Sequence, residues 1–135
     1  MLENVMARPT EIDGPGSADD VRAAVERYRD AVNRHDIDAV VAAFTDDGLI
    51  DCTPPPDGER YEGIAGITAL FRQLYSSADE RTFETEEMII AGDRVVVRWR
   101  HHWVDASGDP GHVRGVDVLR VRDGKIAEKL SYVKC

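Results

Sequence analysis

The chain has 135 residues and a mass of 15.0 kDa, with 17 basic against 26 acidic side chains and a net charge of −9. Apolar residues make up 42% and charged residues 32%, the balance of one globular domain rather than a disordered chain. The acidic excess sets aside nucleic acid and anionic membrane as partners, and no run approaches the ~18 apolar residues of a membrane span.

Residues 1–16 have no period and close on Gly14-Pro15-Gly16, so a flexible tail is expected before a domain over 17–135. No basic start followed by an apolar stretch marks a secretory signal. Cys52 and Cys135 are too few for a disulfide scaffold, and a cytoplasmic location is expected.

Ser17 opens the first helix, with Asp20 at capping-box spacing. Val21, Ala24, Val25, Tyr28, Ala31 and Val32 follow at helical intervals and form an apolar stripe. Asp36 caps a second, short helix carrying Ile37, Val40, Val41 and Phe44, which Asp46-Asp47-Gly48 should stop. Leu49–Thr53 reads as a short strand and Pro54–Gly58 as a loop, since proline donates nothing to a ladder. A third helix is expected over about Ile64–Ser76, with Ile67, Leu70, Phe71 and Leu74 on one side. From Phe83 the period falls to two, giving strands at about 83–91, 94–105, 112–122 and 125–134. Strands so close in sequence pair as an antiparallel meander. The fold class is α+β: three helices covering a curved, mainly antiparallel sheet.

Asp117 draws the chemical interest. It shares a strand face with Val113, Gly115, Leu119 and Val121, whereas the opposite face carries Arg114, Arg120 and Arg122. A carboxylate on the drier face costs several kcal/mol unless paired or neutral, so it anchors an ion pair or does chemistry. Tyr28 in the first helix is either a core tyrosine or a hydroxyl aimed into a cavity. Asp51 and Cys52 point to opposite sides of their strand, so only one of them enters a pocket. Along 94–105, Val95, Val97, Trp99, His101 and Trp103 share one face and Val96, Arg98, Arg100, His102 and Val104 the other. Alternation favours the tryptophan face inward. His35, His101, His102 and His112 have no metal-ligand spacing, and phosphate loops and nucleophile elbows are absent, so neither metal nor cofactor is expected.

Three phrases carry a resemblance: residues 28–48 (YRDAVNRHDIDAVVAAFTDDG), Tyr61-Glu62-Gly63, and residues 116–128 (VDVLRVRDGKIAE). Together they resemble the SnoaL-like polyketide cyclases of the nuclear transport factor 2-like superfamily, which also holds ketosteroid isomerases and limonene epoxide hydrolases. The resemblance implies a cone-shaped sheet around a pocket closed by helices. It implies a homodimer through the outer sheet face, with Trp99 and Trp103 at the interface and Arg98, Arg100 and His102 turned into the pocket. Asp117 matches the acid/base aspartate of the cyclases and the protonated aspartate of the isomerase oxyanion hole, a carboxylic acid kept neutral by an apolar site. Tyr28 matches that hole's tyrosine. Cys52 stands where the isomerase has its proton-abstracting aspartate, and Arg100 and Ser131 replace two aspartates of the epoxide hydrolase, whose arginine Arg98 matches.

The expected catalytic set is therefore Asp117, Tyr28, Asp51 and Arg100. Cys52, Arg98, His102, Leu70, Leu74 and Leu119 are expected to line the pocket, with Lys129 and Ser131 making it more cationic than the surface. The activity implied is cofactor-independent acid/base chemistry on a cyclic polyketide- or terpenoid-like carbonyl compound. The competing expectation is a non-catalytic ligand-binding or dimerisation module of the same fold.

Overall fold

A computed structural model describes residues 17–77 and 79–134; the tail expected over 1–16 lies outside them, as does Cys135. Helices α1 (Ala18–Asn33) and α2 (Ile37–Ala42) lead into strand β1 (Phe44–Asp51). Strand β2 (Arg60–Glu62), helix α3 (Gly63–Leu74) and strands β3 (Glu80–Ala91), β4 (Arg94–Val104), β5 (Pro110–Arg122) and β6 (Lys125–Val133) follow. The six strands form one sheet in the order β2-β1-β6-β5-β4-β3. Every pairing is antiparallel except β1 with β6. The α+β cone expected from the sequence is the fold observed.

Both helix starts are held by their expected caps. The Ser17 hydroxyl accepts from the Asp20 amide at 3.3 Å, and the Asp36 carboxylate accepts from the Ala39 amide at 3.1 Å. Helix α1 ends with His35 at φ 55°; its amide donates to Val32 O at 3.1 Å and the Asp36 amide donates to Ala31 O at 3.1 Å. This double closure is a Schellman turn, and it swings the chain straight into α2.

The N-terminal half departs from expectation at β1. Asp46-Asp47-Gly48 does not end the second helix; it lies inside β1, and Phe44 is the first strand residue. The β1–β6 register shifts between Phe44 and Leu49, so the turn-like composition is spent on a bulge. Asp47 points outward there and accepts from Arg122 at 2.6 Å. The strand β2 was not foreseen, because three residues are too few to show a period.

The core is a slab between the helices and one sheet face: Val21, Val25 and Val32 of α1, Ile67 and Phe71 of α3, and Val95, Val97, Leu119, Val121 and Ile126 of the sheet. Two side chains fasten the helices, through three hydrogen bonds. Asn33 brackets Phe83 on the sheet edge, donating to its carbonyl at 2.9 Å and accepting from its amide at 2.8 Å, which satisfies edge groups that would otherwise stand open. Tyr75, just past α3, donates its hydroxyl to Val32 O at 2.8 Å.

Candidate functional site

Between α1, α3 and the inner face of the sheet lies a cavity of about 210 Å³. Its walls are mostly apolar: Val32 of α1, Leu70, Phe71 and Leu74 of α3, and Phe83, Trp99, Val113 and Val133 of the sheet. Its polar groups are Arg29, Tyr28, Asp117, Lys129, Ser131, Cys52, Thr53 and His101. An apolar chamber with a few convergent polar groups is the form of a small-molecule site.

The polar cluster centres on Asp117, 2% exposed. One of its oxygens, Oδ2, lies 3.6 Å from an Arg29 nitrogen and 3.7 Å from Lys129 Nζ. The other, Oδ1, is buried without a hydrogen bond among the described residues. Lys129 Nζ donates to Ser131 Oγ at 2.8 Å. The Arg29 guanidinium lies over the Phe83 ring at 4.8 Å, and its Nε is likewise buried without a partner.

Burial is the largest single influence on Lys129 and pushes its ammonium down. The pull of Asp117, with lesser contributions from Tyr28 and Cys52, outweighs it, so Lys129 sits above its ordinary value. Burial pushes the Tyr28 phenol and the Cys52 thiol up, so both stay protonated at neutral pH. His101, stacked on Phe83 with ring centroids 4.1 Å apart, is held down to about 4 by burial first and then by Arg81 and Arg29. It is a neutral imidazole at pH 7.

The structure brings together Asp117, Tyr28, Cys52, Leu70, Leu74, Lys129 and Ser131 around this cavity. Other expected site residues lie elsewhere. Strand β4 turns the opposite way from the expectation: Trp99, 5% exposed, and His101 face the cavity. Arg98 and His102 face outward, paired with Glu87 at 2.8 Å and Glu84 at 3.1 Å, and Arg100 shares their face. The physical reason is burial. The Val95, Val97 and Trp99 face supplies apolar area to the core, while the arginine face is neutralised by glutamates of β3. The interface assigned to Trp99 and Trp103 therefore loses its basis, since both lie on the cavity side of β4. There each covers a glycine of β5 directly opposite, Trp99 over Gly115 and Trp103 over Gly111.

Leu119 is buried in the core and does not line the cavity. Asp51 lines a neighbouring cavity of about 250 Å³ under the Pro54–Gly58 loop, 3.8 Å from Arg60. Cys52, Thr53, Ser131 and Val133 border both cavities.

Arg29 was missed. Its signal was positional: it stands four residues after Val25 and three before Val32, on the helical stripe, where an arginine has no reason to be unless something inside receives it. Among the described residues no group of three metal-ligating side chains occurs, and no helix is long and apolar enough to cross a membrane.

No curated protein matches the chain. A nuclear transport factor 2-like protein of unknown function from Mesorhizobium loti is 32% identical, covering 87% of this chain and 93% of its own, with a TM-score of 0.72. An epoxide hydrolase/cyclase-like enzyme of pyran ring formation in polyether salinomycin is 22% identical over 87% of this chain and 93% of its own, with a TM-score of 0.76. A limonene epoxide hydrolase-like enzyme of M. tuberculosis, at 20% identity, covers 86% and 84% with a TM-score of 0.74. These last two share the fold. The family profile of the SnoaL-like domain matches residues 25–129, and the chain belongs to that family.

Proposed function

We propose that the protein is a cofactor-independent acid/base enzyme acting on a small ring compound with a carbonyl group. The observation that carries this reading is Asp117: one oxygen lies between two cations, and the other is buried with no hydrogen-bond partner among the described residues. A structural carboxylate is normally bonded through both oxygens. This one keeps a lone-pair face for a proton.

The step follows from the neighbours. Asp117 takes a proton from the carbon next to the carbonyl. The C–H pair becomes the C=C bond, and the carbonyl π pair moves onto oxygen. The Lys129 ammonium and Arg29 guanidinium stabilise that developing negative charge. Returning the proton to another carbon gives an isomer; attack of the enolate carbon on a second carbonyl of the same molecule closes a ring, the second π pair moves onto its oxygen, and Asp117 returns its proton to the alkoxide so formed. Lys129 is held as an ammonium, which suits it to electrostatic stabilisation and not to attack on the carbonyl. Asp117 is the one carboxylate lining the cavity among the described residues, so a pair activating water for epoxide opening is not assembled there.

Size narrows the substrate. About 210 Å³ is below the roughly 300–1,000 Å³ of drug-sized sites, which favours one or two rings over a tetracyclic polyketide. The test is α-proton exchange in deuterated water, followed by NMR, with 2-tetralone and 3-oxocyclohexane-1-carboxylate as substrates. Asp117→Asn should slow exchange by about 10²- to 10⁴-fold. Exchange that is equally fast in wild type and Asp117→Asn removes Asp117 as the base. Binding of either ketone without any exchange leaves the family's binding-module reading.

A further inference from the structure

We propose that the ligand this cavity takes is a small ring carboxylate, its ring in the apolar chamber and its carboxylate on Arg29 and Lys129. The proposal rests on the cavity being the substrate site and deepens that reading: the two cations that steady the enolate oxygen also hold the carboxylate of the same molecule. It does not require Asp117 to move a proton. The argument is a charge inventory of the wall. Arg29 and Lys129 are cations and Asp117 is an anion, while Tyr28, Cys52 and His101 are neutral at pH 7. The lining therefore carries one surplus positive charge, in a chain whose net charge is −9.

Geometry shows that Asp117 is not closely bonded to either cation. Charge-assisted N–H···O bonds are roughly 2.7–2.9 Å long, yet its approaches to Arg29 and Lys129 are 3.6 and 3.7 Å. Arg29 Nε and Trp99 Nε1 are buried donors without acceptors among the described residues, and each such donor is costly to leave unpaired. A carboxylate brings one negative charge and acceptors for several N–H groups at once. A dianion would overshoot the surplus by one, and a neutral ring would leave it standing. Phe71, Phe83 and Leu70 supply the surface on which an aromatic or alicyclic ring is buried.

Titration calorimetry at pH 7 with 2-naphthoate and its neutral isostere 2-naphthamide tests this on the unaltered chain. Naphthoate should bind at least tenfold more tightly. Lys129→Met should bring the two ligands to within about threefold, and Arg29→Met serves if that variant does not fold. Asp117→Asn removes the competing anion and should tighten naphthoate severalfold while naphthamide stays put. Equal or weaker binding of naphthoate by the wild type, or no binding of either compound at millimolar concentration, overturns the proposal. The catalytic reading fails separately. Asp117→Asn that exchanges ketone protons as wild type does, yet binds naphthoate more tightly, ends the proton-transfer role and keeps the carboxylate site. Loss of exchange with no preference for naphthoate does the reverse.

Discussion

The two sides of the sheet carry ion clusters built to different standards, the inner one completed by Arg29 of α1. On the outer face, Arg114 grips both oxygens of Glu86 at 2.9 and 3.0 Å, and Arg98 meets Glu87 at 2.8 Å. On the inner face, Arg29, Asp117 and Lys129 approach no closer than 3.6 Å. The tight geometry lies where water already screens the charges and a good bond adds little. The loose geometry lies where each unsatisfied charge is expensive. A cluster selected for stability would show the reverse. Under the proposed function, the inner trio is arranged for the ligand of the cavity it lines.

The sharpest way to break this contrast is Asp117→Ala, which leaves two buried cations facing each other. Removing one partner of a buried ion group costs about 3–5 kcal/mol, and urea denaturation should show a loss in that range. A loss no larger than that of an outer-face variant would erase the distinction. Next in size is Gly115→Ala on the inner face. A methyl there would fall within 2.5 Å of Trp99 Cη2 and of the Tyr132 carbonyl oxygen, and overpacking of this kind costs about 1–3 kcal/mol. The measurement is the melting temperature together with Trp emission, which should shift as the indole is displaced from the cavity wall.

The pH response follows from His101. Its folded value, about 4, lies below the ordinary 6.5, so between those values the unfolded chain binds the extra proton. Stability from this group is present above about 6.5 and is lost as pH falls toward 4. His101→Phe keeps the stack on Phe83 and should flatten the dependence of the denaturation midpoint across that window. Smallest is Glu86→Gln on the outer face. Its carboxylate, held below the ordinary value chiefly by the hydrogen bond from Arg114, is partly exposed, and its partner Arg114 is half-exposed. The midpoint should move only slightly, and 1 M salt should remove most of the difference.

The legible parts of the molecule are those whose local chemistry agrees with their global place. Helix α1 reads from its stripe and its Ser17 cap. The β5–β6 hairpin reads from Asp123-Gly124, both at positive φ, 54° and 77°. Asp117 stands out because a carboxylate interrupts an apolar face. The parts that misled are those where composition serves a different geometry. Asp46-Asp47-Gly48 has turn chemistry but makes a bulge, since its strand is held by partners far away in sequence. Strand β4 carries aromatics and cations on alternating positions, and period alone cannot show that β3 supplies the glutamates that settle its arginines outward. There simple alternation was the better guide and the family resemblance the worse one. Arg29 does not enter the sequence reading, because arginine is usually a surface residue; its place on the apolar stripe is the signal that marks it.

The single parallel pairing, β1 with β6, has a consequence for how the site comes into being. Strands β3 to β6 are joined by short hairpins and can zip up locally, on the fast side of folding rates. Cys52 and Thr53 lie just past β1, and Lys129 and Ser131 belong to β6, some 80 positions away in sequence. Closing that long loop is the entropically slow event. The chamber is therefore among the last features to assemble, after the hairpins but with the join between the two halves of the chain. Rapid-mixing experiments following Trp99 should see the cavity wall mature in that late phase, and a ligand that binds the chamber should slow unfolding more than it speeds refolding.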